Sequence, residues 1–119
     1  MPGKAVIAIV GKYLREVERA GIPVVAGVLY GSHARGDARR DSDIDLLVVS
    51  RTSRRRRASA DTDLLWELRG RVDYRIEPIL VDADRWRHDD GSPLLASIRQ
   101  EGYVISPGHH SKASRRVQA

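Results

Sequence analysis

Residues 31–49 read GSHARGDARRDSDIDLLVV, and no other stretch limits so tightly what this chain can fold into. Just ahead of it, residues 24–30 are β-branched and aliphatic, the composition of a buried strand. That strand runs straight into Gly31-Ser32. Ten residues follow, and Asp43-Ile44-Asp45 then opens a second apolar run at residues 46–49. An uninterrupted run of that kind predicts a strand covered on both faces of its sheet. Residues i and i+2 of a strand share a face, so Asp43 and Asp45 project together while Ile44 and Leu46 turn toward the core.

Two carboxylates this close repel each other and raise each other's pKa. A hard divalent cation with oxygen ligands offsets that repulsion directly. Mg²⁺ takes one or two carboxylates together with substrate phosphate oxygens, which suits a pair of aspartates beside a phosphate loop. The loop half of the pattern is Gly31, where backbone can approach a phosphate with no Cβ in the way, and Ser32, which offers a hydroxyl. A short helix opening after them would aim free N–H groups at the anion, and Arg35 stands one turn further on. Taken singly, Asp-x-Asp is a common strand end and Gly-Ser says less. The ordered combination carries the signal.

The remaining chain reads as support for this stretch. Apolar positions at Val6, Ile9, Val10, Tyr13, Leu14 and Val17 have helical spacing, which predicts a helix over 5–20 capped at Gly21 and stopped by Pro23. A charged loop is expected over 36–41, a second strand over 43–50 and a polar connection over 51–58. A helix over 61–71 would turn Leu64, Leu65 and Leu68 inward, with Trp66 near an edge. A third strand is expected over 74–81 and a short helix over 82–86 with Asp82 at its N-cap. Ser92-Pro93 starts another helix that ends at Gly102, and residues 103–105 add a short edge strand. The expected class is α/β, a small mixed β-sheet flanked by helices. A single domain over 1–106 is expected, with a disordered basic tail over 107–119.

Composition narrows the classes of function. The chain has 119 residues and no cysteine, so thiolate metal sites and disulfide frames are excluded. No signal-peptide pattern opens it, and no apolar run approaches the roughly 20 residues that span a bilayer. A cytoplasmic protein without a membrane partner is expected. The net charge of +5 is not spread over the fold. Arg51 with the arginines at 54–57, and Lys112, Arg115 and Arg116, supply eight positive charges in segments without an acid, leaving the rest at −3. Basic loops and tails are more often solvated than nucleic-acid faces, so nucleic acid is not the expected partner.

The motif resembles that of the DNA polymerase β-type nucleotidyltransferase superfamily, and within it the minimal nucleotidyltransferases, whose signature is Gly-Ser, a variable loop and Asp-x-Asp. The matching residues are Gly31, Ser32, His33, Ala34, Arg35 and Gly36, then Ser42, Asp43, Ile44, Asp45 and Leu46. The resemblance implies a polymerase β-like fold, with Gly31 and Ser32 on the β- and γ-phosphates of a nucleoside triphosphate and Arg35 close by. It implies that Asp43 and Asp45 bind two Mg²⁺ ions. A third carboxylate from a later strand would serve one metal and act as base toward the attacking hydroxyl. Candidates for that role are Asp73, Glu77, Asp82 and Asp84, and Glu77 is chosen because an idle charge in mid-strand is costly. The family more often has aspartate there. Pro78 beside it removes a ladder donor, which points to an edge strand or a bulge.

Stand-alone proteins of this type pair with small helical HEPN proteins as toxin–antitoxin couples. The activity so implied is Mg²⁺-dependent transfer of a nucleoside monophosphate, AMP from ATP, to a hydroxyl of the HEPN toxin, a protein AMPylation by its antitoxin. The acceptor would then come from a partner surface, in a homo- or hetero-oligomer. Two other readings stand beside it: an antitoxin that acts by binding with little turnover, and an enzyme that adds nucleotides to RNA with the arginine run as a phosphate-contacting arm.

Overall fold

Helix α1 (Lys4–Arg19) buries Val6, Val10, Tyr13, Leu14 and Val17 along one side, the spacing that sets its helical period. The computed structural model describes residues 2–51, 58–88, 91–106 and 109–112, the last four through their backbone alone. After α1 the chain enters β1 (Val24–Tyr30), a one-turn helix α2 (Ser32–Arg35) and β2 (Ile44–Ser50). Next come α3 (Ala58–Leu68), a 3₁₀ turn (Arg69–Arg71) and β3 (Ile76–Asp82). Helices α4 (Ala83–His88) and α5 (Pro93–Glu101) then lead to β4 (Tyr103–Ser106) and β5 (His109–Lys112).

The strands form one sheet in the order β3-β2-β1-β4-β5. Only β2 and β3 run parallel; β1 is antiparallel to β2 and to β4, and β4 to β5. Such a mixed sheet flanked by helices is the α/β architecture that the sequence predicts. Ile44, Leu46 and Val48 enter one core layer with residues of α1 and α3. Leu47 and Val49 enter the opposite layer with Ala83 of α4 and Leu95 and Ile98 of α5. The apolar run of β2 is therefore buried on both faces, as its composition requires. Gly27 lets α1 close on the sheet, because a Cβ there would stand 2.9 Å from Leu14 Cδ1.

Three segments differ most from the sequence reading. The helix expected over 61–71 begins at Ala58 and tightens into the 3₁₀ turn after Leu68. Strand β3 starts at Ile76 because Asp73 captures the Arg75 backbone N–H at 2.9 Å, holding residues 74 and 75 in a turn. The expected tail does not include His109–Lys112, whose backbone pairs with β4. Their polar composition gives no strand signal; pairing along β4 satisfies backbone groups that would otherwise form an open edge. Strand β4 is thus internal and not an edge. The arginines at 54–57 and the tail beyond 112 lie outside the described residues. Among the described residues β3 pairs with β2 alone, so Pro78 sits on an edge strand where its missing N–H is tolerated. No helix among them is long and apolar enough to cross a membrane.

Candidate active site

Strand β1 ends at Tyr30, and the chain turns abruptly at Gly31, whose φ of 74° lies in the left-handed region. Glycine is required there on a second ground: a Cβ would run into the Asp45 carboxylate. Helix α2 starts at Ser32 on the far side of that turn. The loop returns over residues 36–43 and is braced twice. His33 Nε2 donates to the Ser42 carbonyl at 3.3 Å, and Ser42 Oγ accepts from the Arg39 N–H at 2.7 Å. His33 is half-buried and ties α2 to Ser42, the residue before Asp43.

Asp45 lies opposite Tyr30 in the antiparallel ladder and opposite Glu77 in the parallel one. Asp43 stands just ahead of β2 and is exposed, whereas Asp45 and Glu77 are half-buried. Burial first, and then the Asp43 charge, pushes the Asp45 carboxyl above the ordinary carboxylate range. Glu77 moves the same way, through burial first, then the charges of Asp43 and Asp45 and a hydrogen bond shared with Asp43. The phenol of Tyr30 is likewise raised, by burial and then by Asp45 and Glu77. Three carboxylates thus crowd one sheet end, and the positive charges that oppose the shift, His33 and Arg35 at Asp45 and Arg69 at Glu77, leave both carboxyls raised.

An open cleft of about 560 Å³ is lined by Gly31, Ser32, Arg35, Asp43 and Asp45, with Leu94, Ser97 and Glu101 of α5 on its wall. Five of the six sequence-derived site residues therefore share one cavity, and Glu77 adjoins it beside Asp45. The other candidates for a third carboxylate are engaged elsewhere. Asp73 holds the Arg75 guanidinium at 2.8 Å, which keeps its carboxyl below the ordinary range. Asp82 is at the far end of β3 and accepts the Asp84 N–H at 3.2 Å, while Asp84 lies exposed on α4.

Glu101 is the residue the sequence reading missed. Its Oε1 accepts the Gly31 N–H at 3.2 Å, and its Oε2 stands 3.5 Å from Arg35 Nη1. One signal was present: an acid in the last turn of a helix opposes the macrodipole, so it needs a partner outside that helix. Among the described residues no three His, Cys, Asp or Glu side chains converge into a ready-made metal cluster. A Mg²⁺ site does not require one, since one or two carboxylates with substrate phosphates suffice.

Residues 10–102 match the sequence profile of the nucleotidyltransferase domain. A Methanocaldococcus jannaschii protein with the provisional name protein adenylyltransferase is 33% identical over 91 residues, which span 74% of this chain and 61% of the relative. A crystal structure described as a toxin–antitoxin with AMP-PNP superposes with a TM-score of 0.52 at 23% identity, over 80% of this chain and 71% of that one. A provisionally named nucleotidyltransferase of Sulfolobus solfataricus gives 0.49 at 22% identity, over 66% and 68%. The sheet is of the polymerase β-like kind, and with its profile matched across β1 to α5 the chain belongs to the nucleotidyltransferase domain family.

Proposed function

We propose that the protein transfers AMP from ATP to a hydroxyl of a partner protein, as the antitoxin of a toxin–antitoxin pair. The observation that carries this reading is the shared cleft, in which a glycine turn and helix start face Asp43 and Asp45 with Glu77 alongside. Gly31 and Ser32 would bind the β- and γ-phosphates through the backbone N–H and the hydroxyl, and Arg35 would approach them from the cleft rim. In the transfer, the acceptor oxygen bonds to the α-phosphorus, the bond from that phosphorus to the bridging oxygen breaks, and pyrophosphate leaves. Glu77, beside Asp45 in the parallel ladder, would take the hydroxyl proton.

The donor set fits Mg²⁺: hard carboxylate oxygens, crowded and repelling, where a dication removes the repulsion. Asp43, Asp45 and Glu77 would hold two such ions. Bound there, Mg²⁺ would supply neutralisation of phosphate charge and of the charge that develops in the displacement. The partner reading draws on the relatives, one named for protein adenylylation and one described as a toxin–antitoxin. A HEPN-type toxin is the partner we propose.

One observation favours RNA as an alternative acceptor. A second cleft of about 500 Å³ flanks α2, and His33, Arg39, Arg40 and Arg75 line it. Transfer of label from α-labelled ATP with Mg²⁺ into a host-cell lysate separates the two readings. The expected outcome is a labelled protein band that disappears with Asp43→Asn. Asp43-dependent label in RNA would transfer the reading to the nucleotide-adding enzyme, and no Asp43-dependent label in either would leave a partner-binding antitoxin or an acceptor missing from the lysate.

A further inference from the structure

We infer that Glu101 is a built-in competitor of the nucleotide's triphosphate, occupying the phosphate donors of the Gly31 loop until the nucleotide displaces it. The inference rests on the nucleotidyltransferase reading and deepens it.

Placement of Glu101 is fixed by the fold and not by the flexibility of its side chain. Strands β1 and β4 pair with Val28 opposite Val104 and Leu29 opposite Tyr103. Continuing that antiparallel register brings residue 101 opposite residue 31. Helix α5 ends there because Gly102 leaves it in an extended conformation to enter β4, its N–H bonded to the Ile98 carbonyl at 2.7 Å. The carboxylate is thereby delivered to the Gly31 N–H, with the Arg35 guanidinium within ion-pair distance.

The location is unfavourable for an acid on every other count. The α5 C-terminus repels negative charge. Three further carboxylates stand at the same sheet end, and Glu101 adds to the field that hinders ionisation of Asp45. Its compensation comes from an N–H and a guanidinium, the two kinds of group that recognise phosphate oxygens. A carboxylate that accepts from the N–H through one oxygen and pairs with the guanidinium through the other stands where phosphate oxygens would at the loop. Triphosphate and Glu101 cannot use the same N–H together, so entry of one requires release of the other. Release also removes a negative charge from the path of an anionic ligand. Glu101 therefore taxes every nucleotide that must reach the loop through its β- and γ-phosphates, and leaves untaxed a ligand without them.

The test is isothermal titration of the full chain, in Mg²⁺, with α,β-methylene-ATP and separately with AMP. Glu101→Ala is expected to bind the triphosphate analogue about three- to tenfold more tightly than wild type, the range for losing one charge-assisted contact at a half-exposed site. Glu101→Gln, which keeps an acceptor for the Gly31 N–H and loses the charge, is expected to fall between the two. AMP affinity should be unchanged in both variants, and KM for ATP should drop in Glu101→Ala with little change in kcat. Weaker or equal binding of the analogue would make Glu101 a brace of the loop and overturn the inference. Equal tightening toward AMP would reduce the effect to general charge and overturn it as well. If wild type and both variants bind no nucleotide, the nucleotidyltransferase reading itself fails and the competition with it.

Discussion

Asp45 is pressed from three sides: half-buried, flanked by Asp43 and set against the turn at Gly31. Because its folded pKa is raised, the folded protein holds the proton more readily than the unfolded chain does. Ionisation therefore costs stability as pH rises from the ordinary aspartate value of about 4 through the raised one, and the cost is complete above that window. Asp45→Asn is expected to abolish transfer yet raise the melting temperature of the metal-free protein at neutral pH, a gain that fades as pH falls below the window. Melting below wild type at neutral pH would instead identify the carboxylate as a structural partner. Gly31→Ala should behave in the opposite sense on stability. It places a Cβ at a left-handed φ against Asp45, so a loss of at least about 1 kcal/mol in urea unfolding is expected, together with loss of transfer. Unchanged urea stability would show that the turn can relax away from Asp45.

At the level of elements, what the sequence revealed and what it concealed divide by range. Strands β1 and β2 were legible because both are apolar runs bounded by strong punctuation, Pro23 before one and the Asp43-Ile44-Asp45 motif at the start of the other. The start of α5 was legible through local chemistry: Ser92 Oγ accepts the Leu95 N–H at 3.2 Å, with Pro93 at the first helical position. Glu101 was not, since its role arises from the β1–β4 register, which brings it to Gly31, 70 positions away. Strand β5 was hidden for a related reason, as pairing along β4 and not side-chain composition makes it a strand. Contacts between elements also separate scaffold from site. Tyr13 is fully buried and its hydroxyl donates to the Leu65 carbonyl at 2.6 Å, tying α1 to α3 on the sheet face opposite α4 and α5. Tyr13→Phe should cost about 1 kcal/mol in urea unfolding and leave the KM for ATP unchanged. A shift in KM would mean that this face of the sheet communicates with the cleft.

For the whole molecule, charge is arranged against its own average. The chain carries +5 overall, yet its candidate site gathers Asp43, Asp45, Glu77 and Glu101, with the Arg35 guanidinium shared between Glu101 and Asp37. Such a site repels a bare nucleotide and attracts a dication, so metal and nucleotide should stabilise the fold cooperatively. Anything that binds only the folded state stabilises it by mass action, about 2.7 kcal/mol at a hundredfold excess over Kd. In a domain of this size that raises the melting temperature by on the order of 10 °C. Mg²⁺ alone should give a small rise by relieving the repulsion among the carboxylates, and α,β-methylene-ATP without metal should give almost none. Together they should exceed the sum of the two, and Asp43→Asn should remove that excess while keeping the wild-type circular dichroism spectrum. Thermal melts of both proteins across the four combinations of metal and nucleotide measure this directly. Equal stabilisation by nucleotide with and without Mg²⁺ would mean that the phosphates are held by the Gly31 loop and Arg35 alone. The crowded carboxylates would then serve the acceptor hydroxyl and not the metal.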